Sequence, residues 1–139
     1  VWCYVLGEWI TFRDCAVHAD RDKYHNNTQE IDMEFLSKQF NETDSSILNL
    51  VIQSPESQAA GFNAIYTPGF ADPRLLFRSD MAFHDYRFDW TPGQVAFYAD
   101  DRLLRVMTEN IPDSGGHMVF NHWSNGDEGW SAGPPTQDT

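Results

Sequence analysis

Positive charge is scarce in this sequence. Its 139 residues hold 9 Lys and Arg against 21 Asp and Glu, a formal net charge of −12. A phosphate backbone is gripped through Lys and Arg, so nucleic acid is excluded as a partner. Long apolar runs are missing too, and no stretch reaches the ~18 residues of a membrane span. The opening VWCYVLGEWI is short, carries Glu8 and lacks a basic start, so it does not read as a signal peptide. Cysteine is limited to Cys3 and Cys15, which form one disulfide or stay free; the count decides little. No ten-residue stretch keeps a helical period, which leaves an all-β reading. The chain does not begin with Met, so a fragment or a processed form is expected.

What is present is apolar and aromatic. Hydrophobic residues make up 41% and aromatics 14%, enough for one packed domain. An acidic chain rich in Trp, Tyr and Phe suits an uncharged ligand with flat apolar faces, and sugars qualify. Asn26-Asn27-Thr28 and Asn41-Glu42-Thr43 are glycosylation acceptors in a secreted protein.

The stretch that organises the chain is Gln29-Glu30-Ile31-Asp32-Met33-Glu34-Phe35. Three carboxylates alternate with three large apolar side chains, the period of a half-buried strand. Extended, it puts Glu30, Asp32 and Glu34 on one face and Ile31, Met33 and Phe35 on the other. Such a row also occurs on the wet face of ordinary sheets. Like charges this close repel, however, and paired carboxylates suit sugar chemistry, in which one attacks and another donates a proton.

The rest reads as short strands and turns. Val1–Phe12 is a strand candidate and Arg13–Thr28 a polar loop, whose His18, Asp20 and Asp22 read as solvated charge. Ile47–Gln53 alternates, with Leu48, Leu50 and Ile52 toward the core and Asn49, Val51 and Gln53 opposite. Ser54–Ala60 reads as loop, Gly61–Thr67 and Leu75–Phe77 as strands. Phe83–Trp90 places His84, Tyr86, Phe88 and Trp90 on one face. Turns at Thr91-Pro92-Gly93 and Asp100-Asp101 join it to Gln94–Ala99 and Arg102–Met107 in an antiparallel meander. His117–Trp123 is a further strand with Asn121 and Trp123 on one face, followed by a polar tail carrying Trp130. The pattern is an all-β sandwich.

Four landmarks in order, QEIDMEF at 29–35, FHDYRFDWTPGQVAFYAD at 83–100, FNHW at 120–123 and GWSAGPP at 129–135, resemble glycoside hydrolase family 16. The likeness is strongest to its fungal secreted β-glucanase-like members. It covers roughly residues 28–135 and leaves 1–27 as an unassigned N-terminal segment before a partial family domain over 28–139. It implies a β-jelly-roll sandwich of the concanavalin A-like lectin and glucanase type, incomplete on its N-terminal side. It also implies retaining cleavage of β-glucans by a monomer that is secreted or cell-wall associated; no cofactor and no metal ligand are expected, and the structural calcium of some relatives has no place assigned in this sequence.

By position in that motif, Glu30 is the nucleophile and Glu34 the general acid/base, with Asp32 tuning the charge between them. Asn49, His84, Asn121, Trp123 and Trp130 match substrate-binding positions, the two tryptophans stacking on pyranose faces. Three of the five have a plainer reading: Trp123 as core, His84 as a structural histidine, Asn121 as satisfying a strand end. Charge on Asp32 and Glu30 is expected to raise the pKa of Glu34 and suit it to protonate the leaving oxygen. Retention asks for carboxyl groups ~5–5.5 Å apart, whereas Cα atoms four residues apart on a flat strand stand ~13 Å apart. The side chains must therefore lean together on a curved sheet.

The sequence departs from the family in its short N-terminal side and in Asp100-Asp101, where family members often carry Asp-Gly. A sandwich without its edge strands exposes apolar faces, so an isolated chain is expected to be poorly stable or weakly active. Three rivals to a β-1,3 or mixed β-1,3/1,4 endo-glucanase stay open: a cell-wall transglycosylase, a lectin-like binder and an inactive truncated product.

Overall fold

In the computed structural model the described residues are 13–19, 29–40, 44–113, 116–121, 126–130 and 133–134. The strand candidate at Val1–Phe12, the acceptors Asn26 and Asn41, and Trp123 lie outside them. The described elements are β1 (Arg13–Ala19), β2 (Glu30–Glu34), a 3-10 turn (Ser37–Gln39), β3 (Asn49–Ile52), α1 (Pro55–Ala59), β4 (Phe70–Ala71), β5 (Tyr86–Thr91), β6 (Gln94–Ala99), β7 (Arg102–Met107) and β8 (Gly116–Asn121). They form a five-stranded sheet in the order β4-β3-β2-β1-β8 and a three-stranded sheet β5-β6-β7. Every pairing is antiparallel.

The alternation expected of β2 and β3 builds the core. Ile31, Met33 and Phe35 pack with Leu48, Leu50 and Ile52 from one sheet and with Tyr86, Phe88, Val95, Phe97 and Ala99 from the other. Phe35 meets Tyr86 edge to face at 5.3 Å between ring centroids, a favoured aromatic geometry that joins the two sheets. Trp90 packs against this cluster, so the expected apolar face of the β5 stretch is present. The meander also forms with both expected turns, and the all-β sandwich is the observed architecture.

Four local expectations are corrected. Arg13–Ala19 is a strand, not loop, because it pairs on both sides, with β2 and with β8. Pro55–Ala59 is a single helical turn. Pro55 suits the first turn of a helix, where no N–H is needed, and Ser54 and Ser57 close a reciprocal capping box. Gly61–Thr67 is not a strand: positive φ at Gly61 (74°), Phe62 (65°) and Tyr66 (71°) is incompatible with extended pairing. Leu75–Phe77 forms no strand either. Its backbone bonds individually, Leu75 N–H to the Ser46 carbonyl at 2.8 Å and Ser46 N–H to the Phe77 carbonyl at 3.0 Å. Among the described residues no helix is long and apolar enough to cross a membrane.

Candidate active site

The side of β2 opposite the core carries the carboxylates. Glu30 and Glu34 are half-buried, and Asp32 between them is only 4% exposed. An acid on an ordinary wet face would be hydrated, so the burial of Asp32 sets this row apart. Register then fixes its neighbours. On β3, Asn49 is opposite Glu34 and Val51 opposite Asp32. On β1, Arg13 is opposite Glu34 and His18 opposite Glu30. Asn121 on β8 pairs with Arg13, so Asn49, Glu34, Arg13 and Asn121 occupy one row across four strands.

Asn49 is 2% exposed, and its amide nitrogen is engaged inside the protein. Nδ2 donates to the Glu34 carbonyl at 3.2 Å and to Gln39 Oε1 at 2.9 Å. That ties the end of the carboxylate strand to the 3-10 turn beyond it.

The same 3-10 turn reaches Trp130. Lys38 Nζ donates to the Gly129 carbonyl, and the half-buried Trp130 donates its own N–H to Asp127 Oδ1 at 2.7 Å. Trp130 is thereby tied, through its turn, to the segment that follows Glu34.

The contacts of His84 among the described residues are with Phe77, Tyr86 and Asp100. Its ring stacks on Phe77, with centroids 3.5 Å apart, and its Nδ1 meets Asp100 Oδ2 at 2.7 Å. It also touches Tyr86, a core residue, so its contacts belong to the packing between the sheets. Among the described residues no group of three or more His, Cys, Asp or Glu is arranged to hold a metal ion.

Residue-by-residue reading missed Lys38, Gln39 and Gln53. Lys38 and Gln39 sit in a polar stretch with no period to mark them. Gln53 does carry a signal: it continues the alternation Asn49, Val51, Gln53.

Comparison with known proteins assigns the whole. The family description "Glycosyl hydrolases family 16" matches residues 15–138. The chain belongs to this family. A beta-glucanase of Paenibacillus polymyxa is 32% identical over 99 residues, covering 68% of this chain and 34% of that protein. One from Bacillus amyloliquefaciens is 33% identical over 101 residues, with the same shares of 68% and 34%. The family 16 chain therefore spans about a third of the length of these relatives (34%). A solved Bacillus licheniformis beta-glucanase superposes with a TM-score of 0.63 at 21% identity, covering 97% of this chain and 57% of that one. The fold shared by the two is the jelly roll.

Proposed function

We propose that this family 16 chain carries the catalytic strand of a retaining endo-β-glucanase acting on β-1,3 or mixed β-1,3/1,4 glucans. The observation that carries the reading is the carboxylate row on β2, with a buried Asp32 between two half-buried glutamates and an apolar core cluster behind it. Glu30 attacks the anomeric carbon while Glu34 protonates the departing glycosidic oxygen, leaving a glycosyl-enzyme. Glu34, now a base, takes a proton from water, which releases the sugar with its anomeric configuration retained. Trp130 offers a pyranose a flat apolar face, and the family motif makes Trp123 and Asn121 further candidates to bind the sugar. The substrate is an extracellular polymer, so we place the protein outside the cell or at its wall.

The test is reducing-sugar release from a panel of β-glucans, with Glu30→Gln and Glu34→Gln run in parallel. Release by the parent that falls by about 10²–10⁴-fold in Glu34→Gln is expected for loss of a general acid. Proton NMR of the first product is expected to show the β-anomer. Chain transfer without new reducing ends would replace hydrolysis by transglycosylation. Glucan binding by a folded chain without either would leave a lectin-like role.

A further inference from the structure

Gln53 stands just past the end of β3 and continues its ladder, donating its N–H to the Glu30 carbonyl at 3.0 Å. Residues paired this way across antiparallel strands have Cα atoms about 5.5 Å apart and side chains on the same face. Gln53 and Glu30 are therefore cross-strand neighbours on the same face of the sheet.

That amide is held by one end only. Gln53 is 8% exposed, and its Oε1 accepts the Ser57 hydroxyl at 2.7 Å. Ser57 is itself fully buried in the first turn of α1, where its Oγ accepts the Ser54 N–H at 2.8 Å. With the oxygen anchored, the orientation of the NH₂ group follows. Nε2 has no hydrogen-bond partner among the described residues. Gln53 keeps a small part of its surface open to solvent, unlike the fully buried Ser57 that anchors it. Asn49 differs, since its Nδ2 already has two acceptors within the protein.

A nearly buried amide with its oxygen fixed and both N–H groups unused is poised to donate to an acceptor from outside. We infer that Gln53 is a substrate-binding residue that donates from Nε2 to a hydroxyl oxygen of the pyranose ring bound over Glu30. The inference rests on the glycosidase reading above and adds a sugar contact on the nucleophile's side of the row, four residues away from Glu34. It needs no charge, which suits a neutral ligand bound beside the attacking carboxylate.

The test is an NMR titration of ¹⁵N-labelled chain carrying Glu34→Gln, which slows cleavage and lies far along β2 from Gln53. Trisaccharides with β-1,3 and mixed β-1,3/1,4 linkages are the probes. The expected result is a shift of the Gln53 side-chain NH₂ signals that saturates with the sugar. Gln53→Met, of similar shape but without donors, is expected to bind about 3- to 10-fold more weakly, the worth of one neutral hydrogen bond. If β2 backbone signals move while the Gln53 NH₂ signals stay still, the inference is overturned and the glycosidase reading stands. Binding by Gln53→Met equal to the parent's would overturn it as well. If no trisaccharide moves any signal, both fall. The NH₂ shift is read on unaltered Gln53, so the test does not depend on whether the Met variant folds.

Discussion

Asp100 closes a bond to His84 across the β6–β7 turn: Oδ2 meets Nδ1 at 2.7 Å while the other oxygen accepts the Asp85 N–H at 3.0 Å. One carboxylate thus fastens the approach to β5 onto the turn at the far end of the meander. Asp100→Ala is expected to lower unfolding free energy by about 1–2 kcal/mol, the worth of hydrogen bonds to a charged group reduced by solvent screening of a carboxylate that is 45% exposed. Asp100→Asn, which still accepts and tolerates φ of 46°, is expected to retain most of it. Urea unfolding of the two variants measures this, and an Ala variant as stable as the parent would refute it.

The turn residue after it is strained. Asp100 and Asp101 both have positive φ, 46° and 61°, as a type I′ hairpin turn demands. Asp101→Gly is expected to raise stability by about 0.5–1 kcal/mol by relieving the second of these. The cost is the Asp101–Arg87 pair at 3.6 Å, whose acid is 94% exposed, and such pairs contribute little. A lower thermal midpoint would mean that the ion pair outweighs the backbone.

Gly69 admits no side chain. A Cβ there would lie 2.3 Å from the Ile52 carbonyl oxygen, while Ile52 N–H donates to the Gly69 carbonyl at 2.7 Å. Gly69→Ala must push β4 off the edge of the five-stranded sheet, at about 1–3 kcal/mol as in other overpacked sites. Hydrogen exchange is expected to quicken at Ile52 first, and unchanged protection there would contradict this.

Tyr86 carries a polar atom it does not use. Its hydroxyl is sealed without a hydrogen-bond partner among the described residues, and burial, aided by the charge of Asp100, pushes its pKa upward. Tyr86→Phe keeps the ring contacts to Phe35 and Phe77. It is therefore expected to be neutral or to stabilise by up to about 1 kcal/mol. A clear loss of stability on denaturant unfolding would show that the hydroxyl has an acceptor after all.

Acid sensitivity is expected at Asp80. The Arg78 guanidinium grips it in a forked pair, with Nε to Oδ1 at 2.9 Å. That hydrogen bond holds the Asp80 carboxyl below its ordinary value of 3.8. A carboxyl whose folded pKa is lowered contributes stability above its unfolded pKa and loses it as pH falls through the folded one. Asp80→Asn is therefore expected to be slightly less stable than the parent at neutral pH and equal to it once pH is well below 3.8. A difference that persisted in strong acid would assign the effect to packing instead.

Much of the carboxylate row was legible in seven letters. Strand period alone separates Glu30, Asp32 and Glu34 from Ile31, Met33 and Phe35, and the core is built from the apolar set as that period requires. The meander was equally plain, because its strands adjoin in sequence and its turns are short. Legibility failed where pairing is distant or a local signal has two meanings. Pro55 reads as a loop opener or as a helix start, and only the reciprocal bonds of Ser54 and Ser57 select the helix. Arg13–Ala19 has no alternation to mark it and is a strand because β2 and β8 flank it.

The sequence by itself determined which side chains share a face, since covalent geometry sets that period within each strand. Tertiary structure alone decided what stands beside what. Nothing in the alternation says that Gln53 is opposite Glu30 and Asn49 opposite Glu34, because register is chosen by the joint burial of Ile31, Met33, Leu50 and Ile52 between two sheets. Nor does it say that Asn49 Nδ2 is occupied while Gln53 Nε2 has no partner among the described residues. That difference follows from Gln39 and Ser57, brought within 3 Å of the two amides by the turn after β2 and the helix after β3.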